Sequence, residues 1–129
     1  MTPDPTPTAA SPADHLYHYA GTVVDVYDGD TIRVNVDLGF RVTLGHESFR
    51  LARIDAPEVK GLTKPAGLTA RDWLRSTLMD RRVILRTIKD SQEKYGRYLA
   101  DVFYTDEAGV VRCANDDLVA RGFARYRTY

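Results

Sequence analysis

The chain has 129 residues, 43% of them hydrophobic and 28% charged; this fits one small domain with a modest core and excludes a coiled coil, a wholly disordered chain or a membrane protein. The formal net charge is zero, which excludes a protein that holds polyanions by a general excess of lysine and arginine. The first fifteen residues contain Asp4 and Asp14 but no Lys or Arg; the remainder sets 18 basic against 16 acidic residues, a net of +2, so any polyanion site must be local.

The opening stretch MTPDPTPTAASPAD holds four of the six prolines, with Thr, Ser and Ala between them. That composition buries too little apolar surface to order itself, and it predicts a disordered Pro/Thr-rich tail over 1–14 followed by a folded domain over 15–129. The stretch has no basic region followed by an apolar one, and no run in the chain is long enough to span a bilayer; the reading is a soluble, cytoplasmic product without a membrane. Cys113 is the sole cysteine. No internal disulfide can form, and the residue reads as small, buried and apolar.

From His15 the texture changes. AGTVVDVY is rich in β-branched and aromatic residues, TIRVNV alternates strictly, and Asp28-Gly29 lies between them, predicting two antiparallel strands at 20–27 and 30–36 joined by a tight turn. The segment DLGFRVTLGHES, 37–48, reads as a long loop or as an extra edge hairpin. A third strand is expected at 49–54. The main helix is expected from Pro65 or Ala66 to about Arg81, with Ala70, Trp73, Leu74, Thr77 and Leu78 along one face and Trp73 as core anchor. VILRTI at 83–88 and YLADVFY at 98–104 give two more strands, and TDEAG turns the chain into VVRC at 110–113. A short helix follows, from an Asn115 cap to Arg121, with Gly122 at the left-handed position after it. Five strands with a helix between the third and fourth match a five-stranded Greek-key barrel, the OB-fold, mainly β with two helices; such barrels commonly bind oligonucleotides.

The chemistry gathers where strands end. Asp30 follows a turn and Asp55 ends the third strand, so two carboxylates distant in sequence can converge. Pro57 biases Ala56 towards an extended conformation, which leaves its carbonyl available. Two carboxylates, a carbonyl and water make an oxygen-only site suited to a hard cation, Ca²⁺ more than Mg²⁺. Taken singly, Asp30 also reads as a turn cap and Glu58 as an exposed loop acid; together, Glu58 stands where a carboxylate can activate water. Arg50 and Arg53 lie an odd number apart and should point to opposite faces, with one guanidinium on the acid side able to clamp a phosphodiester. In EKYGRY, Gly96 permits a turn before Arg97, and Tyr95 offers an aromatic face. His15, His18 and His46 have no ligand spacing, and Met79 reads as packing.

DGDT, FRLARIDAPE and KYGR, in this order and spacing, resemble the staphylococcal nuclease (thermonuclease) family over roughly residues 18–126. The resemblance implies an OB-fold, Ca²⁺-dependent phosphodiesterase acting on DNA and RNA and leaving 3′-phosphates; the expected partner is nucleic acid, single strands preferred, and the expected state a monomer. The resemblance also implies Asp30, Asp55 and the Ala56 carbonyl as metal ligands, Arg50, Glu58 and Arg97 as catalytic residues, and Lys94 and Tyr95 as substrate contacts. Tyr126, near but out of step with the tyrosines that flank the family's base pocket, is a further candidate substrate contact. The alternative is a catalytically inactive OB-fold module that binds single-stranded nucleic acid or protein.

Overall fold

A two-residue turn at Gly29 and Asp30 joins strand β1 (His18–Asp28) to β2 (Thr31–Gly39), and Asp28 pairs with Thr31 across it. The computed structural model of the chain describes residues 11–92 and 96–128. Within the stretch expected to be tail, Pro12–His15 forms one turn of 3₁₀ helix capped by Ser11 and Asp14. Ile32, Val34 and Val36 point inward and keep the alternation of TIRVNV. On β1, Val23 and Val26 are both buried although three apart, because a bulge shifts the register between Val23 and Asp25.

The undecided segment at 37–48 is a hairpin. β2 continues to Gly39, which pairs with Val42 at the start of β3 (Val42–Leu51). Phe40 and Arg41 in the turn have φ of 54° and 64°, the backbone signature of a type I′ turn.

β3 stops at Leu51, short of the expected Ile54. Ala52 donates its N–H to the Ala100 carbonyl at 2.8 Å, Arg53 takes a φ of 68°, and the chain resumes as the two-residue β4 (Ile54–Asp55). The remaining strands are β5 (Arg82–Gln92), β6 (Tyr98–Thr105), β7 (Val111–Cys113) and β8 (Arg125–Tyr126). One sheet runs β3-β2-β1-β5-β6-β7, and a parallel pairing of β3 with β6 closes it. The closed part, β1, β2, β3, β5 and β6, is the five-stranded barrel expected from the strand order. β4 and β8 form a separate antiparallel pair.

Helix α1 (Lys64–Leu78) carries Pro65 in its first turn and buries Gly67, Ala70, Leu74 and Leu78. It ends before Arg81 because Asp80 adopts a φ of 61° and redirects the chain into β5. Trp73 is not the core anchor. It is half-buried on the rim, against Phe123 (6.2 Å between centroids), with the Arg121 guanidinium 5.0 Å from its ring. The anchors are Leu74 and Leu78, fully buried with Leu51, Ile54, Leu85 and Leu118; each contributes about 1.5–3 kcal/mol over an exposed position.

Helix α2 (Ala114–Ala120) begins one residue before Asn115, with Cys113 at its N-cap position. Asn115 is therefore not a cap. It is fully buried; its Oδ1 accepts from the Val102 amide (3.0 Å) and its Nδ2 donates to the carbonyls of Ala52 (2.9 Å) and Ala100 (3.1 Å). This amide holds the break between β3 and β4 against β6. Gly122 has the expected positive φ, 78°, and α2 ends in a Schellman motif: Gly122 N–H to the Val119 carbonyl and Phe123 N–H to the Leu118 carbonyl. Among the described residues no helix is long and apolar enough to cross a membrane.

Candidate active site

The turn between β1 and β2 carries Asp30 into the interior, where the residue is 6% exposed. Its backbone carbonyl accepts from the Leu51 amide at 2.8 Å, which ties the turn to the end of β3. Its side-chain Oδ1 accepts from the Thr31 hydroxyl at 3.3 Å, and Oδ2 accepts from the Ala56 amide at 2.9 Å. Arg50, paired across the sheet with Thr31, places Nη1 3.0 Å from Asp30 Oδ2 and Nη2 3.1 Å from Asp55 Oδ1. Nη1 also faces the carbonyls of Leu51 and Ile54 at 3.4 and 3.3 Å. One guanidinium thus joins a turn, the end of a barrel strand and β4.

Burial pushes the Asp30 carboxyl up to about 6 from an ordinary 3.8. The neighbouring Asp28 adds to the rise through a hydrogen bond and its charge, while Arg50 and the Ala56 amide work against it. The balance is decided by desolvation: a buried carboxylate with a second acid beside it is short of positive charge even with Arg50 in contact.

That deficit bears on the cation the resemblance implies. Among the described residues no group of three or more His, Cys, Asp or Glu side chains is placed to hold a metal ion. A cation here would rest on Asp30 and Asp55 and take its other ligands from backbone and water. The donor set fits a hard ion: the side-chain ligands are oxygens, and one is a desolvated carboxylate that extra positive charge would stabilise.

Among the described residues, the Glu58 carboxylate makes no hydrogen bond or ion pair to Asp30, Arg50 or Asp55. Its side chain is 70% exposed, with the Lys60 ammonium 3.9 Å away. It shares an open cleft of about 670 Å³ with Asp55, Pro57, Phe123, Arg125 and Arg127. Arg97 donates from Nη1 to the Thr31 hydroxyl at 3.0 Å, one residue from Asp30. Tyr126 turns away, its hydroxyl donating to Asp116 at 2.9 Å. Lys94 and Tyr95 lie outside the described residues.

Arg53 points away from the Arg50 group, as expected, but for a different reason than strand alternation. The turn at 52–53 swings it towards Asp101 (2.8 Å) and Asp116 (2.9 Å). Asp101 is also held by Arg86 at 2.8 Å. Cys113 belongs to this second network and is not simply apolar packing: it is half-buried, its Sγ stands 3.7 Å from Arg53 Nη2, and burial pushes the thiol above its ordinary range.

Two glycines hold the Ala56–Glu58 elbow, and sequence reasoning gave them other roles or none. Gly29 is not in the left-handed region; a Cβ there would lie 2.7 Å from Ala70 Cβ and 2.8 Å from Ala56 Cβ. A Cβ on Gly67 would collide with the Glu58 carbonyl and come within 2.9 Å of the Pro57 carbonyl oxygen. Glycine inside a helix costs about 1 kcal/mol relative to alanine, and that cost is the signal that could have marked Gly67 as a close approach. Gly67→Ala should therefore destabilise the fold by about 1–3 kcal/mol despite its better helix propensity. A urea melt checks this; an unchanged or raised midpoint would show that the elbow does not rest on α1.

Residues 48–129 match the family described as staphylococcal nuclease homologue, a segment that contains Arg50, Asp55, Glu58 and Arg97 and begins after Asp30. The chain is 36% identical to a thermonuclease of Staphylococcus intermedius over 102 residues, 76% of this chain and 56% of the relative. It is 34% identical to a thermonuclease of Staphylococcus hyicus (83% of this chain, 59% of the relative) and 32% identical to Endonuclease Htp3 of Saprolegnia parasitica (86% and 57%). The chain thus spans less than two thirds of the length of these relatives. With more than half of its residues matched, the chain belongs to the staphylococcal nuclease homologue family.

Proposed function

We propose that the chain is a calcium-dependent phosphodiesterase that hydrolyses DNA and RNA as a monomer, prefers single strands and leaves 3′-phosphates. The observation that carries this reading is the convergence of Asp30, Arg50 and Asp55, with Arg97 fixed one residue away on Thr31. Membership of a family whose relatives include proteins named thermonuclease and endonuclease supports it.

In this reading Asp30, Asp55 and the Ala56 carbonyl would hold Ca²⁺, and the ion would supply positive charge beside the phosphodiester. Arg50 and Arg97 orient the phosphate and meet the charge that develops on it; a guanidinium does this through paired N–H donors. Glu58 lines the cleft beside Asp55, where its carboxylate would take the proton of an attacking water, the role of a general base, as the bond from phosphorus to the 5′ oxygen breaks and solvent protonates that leaving oxygen. Because Glu58 is exposed, its loss should cost rate and not fold.

The test is digestion of single-stranded DNA by the purified protein with Ca²⁺ or with chelator, alongside Glu58→Ala and Arg97→Ala. Loss of one general base is expected to lower kcat by about 10²–10⁴, and loss of one transition-state donor by about 10²–10³, with the thermal midpoint of Glu58→Ala unchanged. Cleavage that survives in Glu58→Ala removes that residue from the mechanism. Salt-sensitive binding with no cleavage by the parent would leave an OB-fold binding module in place of an enzyme.

A further inference from the structure

We propose that the cleft beside Asp55 seats the nucleotide next to the scissile phosphodiester, and that Arg125 and Arg127 hold its phosphate. This rests on the nucleic-acid reading above and adds to it a direction for the strand.

The placement follows from the backbone. Asp55 pairs with Arg125 across β4 and β8, and the Arg127 amide extends that pairing by donating to the Arg53 carbonyl at 2.7 Å. Alternation along an extended segment puts residues 125 and 127 on one side and residue 126 on the other. Both arginines line the cleft, whereas Tyr126 reaches Asp116. The sequence RYR, uninformative when read alone, thus places two guanidinium groups beside one carboxylate.

Neither arginine is drawn tightly onto that carboxylate. Arg125 Nη2 is 4.0 Å from Asp55 Oδ2 and Arg127 Nη1 is 3.7 Å from Oδ1, whereas Arg50 already takes Oδ1 at 3.1 Å. A charge-assisted N–H···O bond spans about 2.7–2.9 Å, so both guanidinium groups meet Asp55 at ion-pair range. Their side chains are 86% and 53% exposed. The wall between them and the elbow is apolar, with Pro57, Phe123 and Ala124, and the cleft is of a size that takes a nucleotide. A phosphate on the arginines and a sugar or base along Phe123 would satisfy both parts. The strand would then run from Arg97, past Arg50, to Arg125 and Arg127.

Charges on a rim act on affinity and its salt dependence more than on the chemical step. The probe is a fluorescein-labelled oligothymidylate, its binding followed by anisotropy in chelator between about 50 and 200 mM salt. For the parent, log K falls with log salt. In Arg125→Gln/Arg127→Gln the slope should shrink by about 0.7 for each phosphate that is no longer neutralised, with affinity at low salt down several-fold. Arg125→Lys/Arg127→Lys should restore most of the slope, because lysine keeps the charge. Arg82→Gln, which removes an exposed arginine paired with Asp37 on another part of the barrel, should leave the slope as in the parent.

An unchanged slope in the double glutamine variant overturns the proposal, as does an equal fall in Arg82→Gln, which would mean that any surface charge counts. Failure of the parent to bind the probe overturns both this proposal and the nucleic-acid reading. Cleavage with Ca²⁺ is scored separately: a parent that binds with the predicted slope change but does not cut sustains the phosphate contact at Arg125 and Arg127 and sinks the nuclease reading.

Discussion

Arg50→Ala should cost about 3–5 kcal/mol of stability, the usual penalty for breaking a buried ion pair from one side, in addition to abolishing cleavage. The Arg50 side chain is 8% exposed and its guanidinium is shared between Asp30 and Asp55. Without it, the Asp30 carboxylate is left buried beside Asp28, facing the Ala56 amide and the Thr31 hydroxyl but no longer the guanidinium. A rate measured on this variant would mix lost chemistry with lost fold. A double-mutant cycle separates them: in an Asp30→Asn background the stability cost of Arg50→Ala should fall markedly, because the charge that needed the guanidinium has gone. Equal costs in the two backgrounds, read from urea melts, would show that Asp30 is not what Arg50 holds. Arg53→Ala is the contrast. Its side chain is 43% exposed, and Asp101 keeps Arg86 and Asn115 as partners. A loss of about 1 kcal/mol is expected, with little effect on rate.

The fold was legible in the sequence wherever it rests on local rules. Strict alternation in TIRVNV put Ile32, Val34 and Val36 inside, and a proline after Asp55 marked the elbow. What stayed hidden depends on contacts between distant segments. Nothing local announces that Arg53 adopts a positive φ, yet that one residue ends β3 and sends Asp55 back towards Arg50. Asn115 carries the amide expected of a helix cap, but its partners are Val102, Ala52 and Ala100, far away in sequence. Gly29 lies in the turn as read, yet its close packing could not be read locally, because the crowding atoms belong to Ala56 and Ala70. Arg125 and Arg127 needed the β4–β8 register before they had a site at all.

Asp30→Asn should do the opposite of Arg50→Ala to the fold in the absence of metal, raising stability at neutral pH while removing activity. The folded protein holds the Asp30 proton up to about pH 6, against an ordinary value of 3.8. Between these values the folded state binds more protons than the unfolded one, so stability falls as pH rises. The contribution of Asp30 is complete below pH 3.8 and is lost as pH passes about 6. At about 1.4 kcal/mol per pH unit the loss is on the order of 3 kcal/mol at most, with the attraction of Arg50 already included in the net shift. Thermal melts of parent and variant in chelator, across this pH range, read the difference directly. The advantage of the variant should grow from pH 4 to pH 7 and then level off; a constant difference would mean that Asp30 is not the desolvated group. Added Ca²⁺ should raise the midpoint of the parent at neutral pH, by binding the folded state alone, and should leave Asp30→Asn nearly unmoved. That pairing of outcomes would identify a carboxylate that weakens the empty fold because it is placed to hold a cation.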